Sequence, residues 1–271
     1  MSQAQGRVTV VTGGAQGIGG ATSRRLARSG DVVIVNDSDA DALDATIAEI
    51  AESGGRAIGV RGDVTDDVTV ERLVAVAEDH GGAEGLVNNV GDFRPASRTF
   101  LRSTPEQWRR LHDLNLGHVL TVTHALLPAM VERGRGSIDN LSTVEAYRGI
   151  PAHAVYSAYK AGVSAFTASL AVEVAASGVR VNGIAPDLAD TLQTPASAML
   201  RGRDPELIRT WVPVGRFGRV DDYASVIEFL LSDEARFVTG QTLPVDGGTL
   251  AASGWYARAD GKGWTNLPDR A

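Results

Sequence analysis

Short runs of apolar, mostly β-branched residues alternate with longer amphipathic stretches along most of the chain. These runs are predicted strands, and they occupy 8–11, 32–35, 57–60, 85–88, 136–142, 179–186 and 241–245. Helices are predicted between them, at 16–29, 39–52, 66–79, 105–131 and from residue 156 onward. Strands that alternate with helices form a parallel sheet with helices on both faces. The pattern therefore predicts an α/β fold with a doubly wound, parallel, seven-stranded sheet.

Length and composition narrow the class of protein. No Pro/Ser-rich spacer, charge block or repeat divides the 271 residues, so a single domain over 1–271 is expected. A net charge of -7 offers no basic surface for nucleic acid or an anionic membrane. No apolar run approaches the roughly 20 residues of a membrane span. The chain has no cysteine, which excludes disulfides and thiolate catalysis and is compatible with a cytoplasmic location. The histidines lack the spacing of metal ligands, so no metal is predicted.

A glycine-rich turn, TGGAQGIG, joins the first predicted strand to the first helix. Gly13, Gly17 and Gly19 would let the backbone approach a phosphate closely, and the amides at the start of a helix favour an anion. A tight turn that binds no ligand would show the same pattern. The turn alone is therefore weak support for a nucleotide site.

An acidic residue ends the second predicted strand. Asp37 lies about 20 residues beyond the glycines, where a dinucleotide fold binds the adenosine ribose. Its carboxylate would accept a hydrogen bond from the 2′-hydroxyl and repel a 2′-phosphate, which favours NAD over NADP. The alternative is that Asp37 caps the helix at 39–52.

Tyr156 and Lys160 lie four residues apart, so they share one face of a helix. A free phenol has a pKa near 10, and a neighbouring ammonium lowers that pKa. The pair therefore predicts a proton shuttle at Tyr156, against the alternative of an ordinary solvated helix pair. Apolar and small residues cover two faces of this helix, which predicts burial against both the sheet and a partner subunit in a homo-oligomer, expected to be a tetramer.

Two polar residues stand within apolar segments. Asn115 lies on the apolar surface of the helix at 105–131, and a buried asparagine needs hydrogen-bond partners. Asp139 interrupts a strand that is otherwise mostly apolar. A hydrogen bond at the end of the strand is the expected explanation for Asp139.

Together these motifs resemble the short-chain dehydrogenases/reductases over about residues 7–250. TGGAQGIG resembles the family's cofactor turn, NNVG at 88–91 its NNAG sequence, and Tyr156 with Lys160 its YxxxK motif. The resemblance implies a Rossmann-type fold and an NAD-dependent oxidoreductase that interconverts a secondary alcohol and a ketone. It implies a small-molecule substrate and no metal.

The resemblance also implies a role for individual residues. Tyr156 would transfer the proton, Lys160 would lower its pKa and hold the nicotinamide ribose, and Thr143 would hydrogen-bond the reacting oxygen. Asn115 would complete a proton relay. The implied cofactor-binding residues are Gly13, Gln16, Gly17, Ile18, Gly19, Asp37, Asp63, Val64, Asn89, Tyr156, Lys160, Pro186 and Thr191. The expected substrate contacts are Thr143, Glu145, His153 and Tyr156.

The sequence departs from the family pattern at two places. Thr143 stands thirteen residues before the tyrosine, where the family has serine, and Ser142 beside it is an alternative source of the hydroxyl. Asp187 follows Pro186 in place of the usual glycine, which puts a possible charge near the nicotinamide.

The substrate pocket is expected to come from loops that mix polar and aromatic residues, namely 92–94, Glu145, Tyr147, His153 and the variable loop 188–212. These residues favour a ring-bearing alicyclic, aromatic or steroidal alcohol. An acyl-carrier 3-oxoacyl reductase is the alternative enzyme, and the acidic chain and Asp37 argue against it. A non-catalytic NAD-binding sensor or scaffold is the alternative from another class. The tail, 252–271, could lid an active site, pack on a neighbouring subunit or fray.

Overall fold

The sheet has the predicted architecture. The computed structural model describes residues 6–252, 254, 256–258 and 263–265, and its seven-stranded parallel sheet has the order β3-β2-β1-β4-β5-β6-β7. The strands are β1 (Val8–Thr12), β2 (Val32–Asp37), β3 (Arg56–Arg61), β4 (Gly85–Asn88), β5 (Gly136–Leu141), β6 (Val179–Pro186) and β7 (Thr242–Val245). The α/β, doubly wound, single-domain Rossmann-type prediction is confirmed. A short antiparallel pair, β8 (Tyr256–Ala257) and β9 (Trp264–Thr265), was not predicted.

Helices cover both faces of this sheet. They are α1 (Gly17–Arg28), α2 (Ala40–Glu52), α3 (Asp67–Asp79), α4 (Pro105–His112), α5 (His118–Arg133), α6 (Ala154–Val174), α7 (Ala196–Leu200), α8 (Ile208–Trp211) and α9 (Val220–Leu231). The single helix predicted at 105–131 is thus two helices, joined by a π-helical turn at Asp113–Gly117. Such turns are frequent at functional sites, and this one carries Asn115.

Alternate residues of each strand enter two separate cores, because successive side chains point to opposite faces. On one face, Val10, Ile34 and Leu86 pack with residues of α3, α5 and α6. On the other face, strand residues such as Val11 and Val33 pack with α1, α2 and α9. Burial on both faces explains why the strands read as continuous apolar runs rather than as alternating ones.

Helix α9 was missing from the predicted elements. Its buried residues recur every three or four positions, which is the period of a helix face, and they are Tyr223, Ala224, Ile227, Leu230 and Leu231. The signal is therefore present in the sequence, in the segment between the sixth and seventh predicted strands.

The segment Pro105–Arg133 corrects the expectation that no apolar run approaches membrane length. By length and composition it could cross a membrane. However, Leu111, Val122 and Met130 are fully buried in the protein, and the π turn divides the segment. It is a helix of the core that packs on the sheet.

Asp139 does not make the expected strand-end hydrogen bond. Strand β5 continues past it to Leu141, and its fully buried carboxyl oxygens have no partner among the described residues. Burial raises the pKa of Asp139 well above its ordinary value, since nothing nearby stabilises the charged form. Burial thus favours the neutral form of this carboxyl group.

Candidate active site

The carboxyl ends of the strands open on one cavity of about 1480 Å³, as is general for parallel sheets of this type. Most of the predicted site residues line this cavity: Gly13, Gln16, Gly17, Ile18, Asp37, Asn89, Thr143, Glu145, His153, Tyr156, Lys160, Pro186 and Thr191. Four others do not form part of its wall: Gly19, Asp63, Val64 and Asn115. The fold thus brings the two ends of the predicted site into one space.

The glycine-rich turn forms one end of the cavity. Gly13 and Gly17 have φ values of 59° and 55°, which favour glycine. The first hydrogen bond of α1 runs from Gly20 N to Gln16 O at 2.8 Å, so the amides just before Gly20 have no partner within the helix. A Cβ built on Gly17 would find only Thr191 nearby, at 3.9 Å. The turn therefore presents open backbone and suits a pyrophosphate.

Packing explains why residue 19 is a glycine. A Cβ at Gly19 would come within 2.2 Å of Gly13 O and 2.5 Å of Asn89 Nδ2. The Asn89 amide donates to Thr12 O and Gly13 O, both at 3.0 Å. Asn89 therefore ties the end of β4 to the glycine turn and fixes its position.

Asp39, rather than Asp37, caps α2. The N-cap of α2 is Asp39, whose Oδ1 accepts from Ala42 N at 3.1 Å. Asp37 accepts from Ala15 N and Asp39 N, each at 3.1 Å, and its side chain lines the cavity. The carboxylate is thus held in place by backbone amides and fits a ribose hydroxyl.

Asp63 and Val64 lie behind the wall of the cavity. Burial would raise the pKa of Asp63, but hydrogen bonds from Thr65 and Arg110 outweigh it and hold that pKa below its ordinary value. Val64 is buried in the core. In this structure both residues shape the loop after β3, and their predicted contacts with adenine remain a prediction.

Tyr156 and Lys160 lie one turn apart on α6 at the centre of the cavity. Lys160 is 2% exposed, and its Nζ donates to Leu141 O at 2.8 Å. Burial lowers the pKa of Lys160 to about 8. The ammonium is therefore anchored to the end of β5.

The environment of Tyr156 corrects the expected shift of its pKa. Burial raises the pKa of the phenol well above its ordinary value, and the negative charges of Glu145 and Asp92 add to this rise, while Thr143 lowers it. Lys160 does not produce the dominant effect that the sequence predicted. In this arrangement the phenol is neutral.

The hydroxyls of Thr143 and Ser142 have different surroundings. Thr143 precedes a short 3₁₀ turn, and its Oγ1 donates to Pro186 O at 3.3 Å. Ser142 Oγ donates to Lys160 O at 2.9 Å and lies 2.8 Å from Ser164 Oγ. Since the serine hydroxyl is held by α6, the threonine hydroxyl is the better placed of the two for a ligand.

Asn115 has the partners that its burial requires. Its Oδ1 accepts from Asp92 N at 3.1 Å, and its Nδ2 donates to Asp92 O at 2.8 Å and Leu111 O at 2.9 Å. A Cβ on Gly91 would lie 2.9 Å from Lys160 Nζ and 3.2 Å from Asn115 Oδ1. The loop after β4 thus passes close to both residues.

An aromatic and polar cluster borders Tyr156 on the substrate side. His153 Nδ1 lies 3.0 Å from Glu145 Oε2, and its Nε2 lies 3.2 Å from Ser97 Oγ. The Phe93 ring packs against His153 at 5.0 Å and against the edge of Tyr156 at 6.1 Å. The two predicted substrate contacts, Glu145 and His153, therefore act as a pair, with Ser97 as a partner that was not predicted.

Asp187 is not an isolated charge near the nicotinamide position. Its Oδ2 accepts from Arg148 Nη2 at 2.5 Å and from Thr249 Oγ1 at 2.6 Å. Burial still raises the pKa of Asp187 more than these partners lower it. The positive φ falls at Leu188, 44°, rather than at Asp187. The aspartate thus joins the end of β6 to the loop after β5 and to the segment after β7.

Sequence reasoning misassigned or missed several residues of the substrate end. Tyr147 does not line the cavity, and its hydroxyl instead donates to Ser164 Oγ at 3.2 Å. Arg148 and Ser97 line the cavity but were not predicted. Their partners are 39 and 56 residues away in the chain, so no local pattern could have revealed them.

Comparison with known proteins agrees with this geometry. The family model described as enoyl-(acyl carrier protein) reductase matches residues 13–249. The chain belongs to the short-chain dehydrogenase/reductase family. It is therefore an oxidoreductase, and the family uses NAD or NADP.

Individual relatives extend over nearly the full length. The chain is 36% identical to a 3-oxoacyl-[acyl-carrier-protein] reductase of Thermotoga maritima, over 91% of this chain and 98% of the relative. It is 39% identical to the cis-4-hydroxycyclohexanecarboxylate dehydrogenase of Sinomonas cyclohexanicum, over 90% and 97%. The crystal structure of a levodione reductase superposes with a TM-score of 0.83 at 32% identity, covering 91% of this chain and 98% of that one.

Proposed function

We propose that this short-chain dehydrogenase/reductase is an NAD-dependent enzyme that interconverts a secondary alcohol and a ketone on a ring-bearing substrate. One observation carries the proposal. Tyr156, Lys160 and Thr143 meet in the wall of one cavity, whose two ends are a backbone turn suited to a dinucleotide and an aromatic, charged pocket. A proton-transfer group thus lies between a cofactor cradle and a substrate space.

The chain's own residues would handle the proton and hold the reactants. In oxidation the deprotonated Tyr156 phenolate would take the proton of the substrate alcohol and become the phenol, and in reduction the phenol would return that proton to the reacting oxygen. The Thr143 hydroxyl would turn from Pro186 O, to which it donates at 3.3 Å, and donate its hydrogen bond to the reacting oxygen. Lys160 would bind the ribose hydroxyls. When bound, a nicotinamide cofactor supplies the hydride acceptor or donor. Asn115 would hold the water of the proton relay.

The surroundings of Asp37 support NAD rather than NADP. Asp37 and Ser38 line the cavity where an adenosine ribose would lie. The arginines that line the cavity are on other loops: Arg94, Arg148, Arg201, Arg203 and Arg258. A 2′-phosphate would therefore meet a carboxylate without a compensating cation from these arginines.

The substrate end supports a ring-bearing alcohol. Phe93 and His153 border Tyr156, and Trp211 lines the same cavity. Flat aromatic side chains favour flat or ring-shaped ligands. One relative, at 39% identity, is named for its action on a hydroxylated cyclohexane ring.

The test is a screen of NAD reduction at alkaline pH with cyclic, aromatic and steroidal secondary alcohols. We expect turnover of at least one ring alcohol, with NAD strongly preferred to NADP. A protein that binds NAD and turns over none of them would contradict the proposal. Tyr156→Phe serves as the background control, because it keeps the fold and lacks the hydroxyl.

A second candidate is a 3-oxoacyl-[acyl-carrier-protein] reductase. The 36% identity to such an enzyme favours it, whereas the net charge of -7 argues against attraction to an acidic carrier protein. Acetoacetyl thioesters of acyl-carrier protein and of coenzyme A, offered with NADPH, separate the two. No observation on the described residues favours a non-catalytic sensor or scaffold.

We also propose a cytoplasmic homotetramer. The small residues Ala165 and Ala168 of α6 are exposed, and Val172 on the same helix is 82% exposed, which suits burial against a partner subunit. Light scattering at micromolar concentration tests this, and a monomer would contradict it.

In the tail, Tyr256 lines the cavity, which supports a lid over the active site, whereas Trp255 lies outside the described residues. Unchanged kinetics after deletion of 252–271 would exclude a lid.

A further inference from the structure

Several arginines from the loops predicted to bind substrate, and from their neighbours, line the cavity, although the chain carries a net charge of -7. The cavity-lining residues there include Arg94, Arg148, Arg201 and Arg203. Two of them are neutralised locally. Arg94 pairs with Asp92 at 2.7 Å, and Arg148 pairs with Asp187 at 2.5 Å. These two ion pairs build the wall of the pocket and leave little charge for a ligand.

Arg201 and Arg203 differ from the first two. Within the described part of the chain, neither side chain forms an ion pair or a hydrogen bond. The acidic residues that follow them are already engaged. Asp204 Oδ1 accepts from Glu206 N at 2.9 Å, and Glu206 pairs with Arg209 at 3.3 Å. The loop after α7 therefore brings to the cavity wall two arginines that have no ion-pair partner among the described residues.

The backbone at this loop is unusual for the residues that it carries. Arg201 ends α7 with φ 50° and ψ 42°, in the left-handed region. Gly202 follows with φ 74°. Glycine adopts this conformation without strain, whereas arginine does so at a cost. The left-handed residue at the end of α7 is thus an arginine, although a glycine follows it directly.

The same loop also offers apolar surface. Met199, Leu207 and Trp211 line the cavity next to the two arginines. Apolar side chains beside paired cations suit a ligand that has a hydrophobic body and an anionic end. Arginine binds carboxylate and sulfonate oxygens through two parallel hydrogen bonds.

We infer that Arg201 and Arg203 form an anion subsite for a carboxylate or sulfonate that a ring substrate carries at a position remote from its reacting carbinol. This inference rests on the proposed function, since it names the substrate class of the same cavity. It places the carbinol at Tyr156 and the anionic group at the loop after α7.

Matched acid and amide pairs test the subsite. The probes are 4-hydroxycyclohexanecarboxylate and a 3-hydroxysteroid with a carboxylate side chain, each compared with its own primary carboxamide. We expect kcat/KM with NAD to favour the acid roughly tenfold in at least one pair, the scale of one charge-assisted hydrogen bond. Raising the salt to 1 M should reduce the preference, because the Debye length falls to about 3 Å.

Three variants locate the effect. Arg201→Asn keeps a residue that tolerates the left-handed conformation and removes the charge, while Arg203→Gln removes the second charge. Each should reduce the preference for the acid over its amide several-fold, mainly through a higher KM for the acid. Arg209→Gln is the control, since Arg209 is an exposed arginine of the next helix outside the cavity wall. It should keep the full preference.

Binding gives an independent measurement. Quenching of tryptophan fluorescence by the acids and amides, in the presence of NAD, reports affinity even where turnover is slow. Equal binding of acid and amide in both pairs, or a preference that survives in both cavity variants, would overturn the anion subsite. The anion subsite is also overturned if the two arginine variants weaken the turnover of an acyl thioester and leave the preference for acid over amide unchanged. Turnover of the amides alone refutes the subsite but keeps the proposed alcohol dehydrogenase, whereas binding without turnover of any alcohol refutes the proposed function.

Discussion

The two ends of the cavity are built in different ways. The cofactor end is formed mainly by backbone groups. Gly13 and Gly17 give the turn its open conformation, and the Ala15 amide donates to Asp37 Oδ2 at 3.1 Å. At the substrate end, charged side chains hold one another, as Arg148 holds Asp187 at 2.5 Å. The cofactor end thus depends on the backbone of one short segment, whereas the substrate end depends on side chains that are far apart in the sequence.

This difference indicates which properties each end controls. A backbone cradle recognises what all dinucleotides share, so one carboxylate is enough to select among them. Paired side chains can be exchanged one by one, and they set the specificity for a substrate. We expect the two ends to respond independently to mutation, with Tyr156 and Thr143 between them needed by both.

The largest loss of activity should come from Tyr156→Phe, which removes only the hydroxyl that lies between the two ends of the cavity. Because that hydroxyl is the proposed proton carrier, kcat/KM should fall roughly 10²- to 10⁴-fold. The affinity for NAD, titrated by tryptophan fluorescence, should stay nearly the same. A large loss of NAD affinity would show instead that the two ends are coupled through the phenol.

Thr143→Val should have the next largest effect. Loss of the hydroxyl that faces the reacting oxygen should lower kcat/KM roughly 10²-fold, while Thr143→Ser should retain much of the activity. Ser142→Ala is the matched control, and its effect should be much smaller because Ser142 Oγ is held by Lys160 O at 2.9 Å. Near-normal activity in Thr143→Val with collapse in Ser142→Ala would reverse the assignment.

The same contrast explains what the sequence could reveal. Glycine spacing and the acid after β2 are local patterns, so Gly13, Gly17 and Asp37 could be placed at the cofactor end without a structure. The period of four likewise placed Tyr156 next to Lys160. Arg148 could not be found, because its partners Asp187 and Thr249 are 39 and 101 residues away. The pKa of Tyr156 was also misjudged, since spacing reveals a neighbouring ammonium but not burial.

Asp37→Ala tests whether the cofactor end acts alone. Removing the carboxylate should narrow the preference for NAD over NADP by roughly tenfold, because like-charge repulsion of the 2′-phosphate is lost. Fluorescence titration with both cofactors measures this. Asp39→Ala is the control: it removes the cap of α2, costs about 1 kcal/mol of folding free energy and should keep the preference. Equal affinities of the parent protein for NAD and NADP would refute the role of Asp37.

Glu145→Gln should have the smallest effect, a shift along the pH axis. The negative charge of Glu145 adds to the burial that raises the pKa of Tyr156, so the neutral glutamine should lower that pKa. In oxidation the phenolate is the base, and activity rises as pH approaches the phenol pKa, so the rise should occur at lower pH in the variant.

In reduction the neutral phenol is the acid, so the loss of activity at high pH should also begin at lower pH. Profiles of kcat/KM against pH in both directions measure the shift, with the exposed Glu132→Gln as control. A shift of the profile to higher pH, or a shift in oxidation or reduction alone, would mean that Glu145 acts on the substrate rather than on the phenol. The substrate end would then influence catalysis through binding alone, and the electrostatic link between the pocket and Tyr156 would be lost.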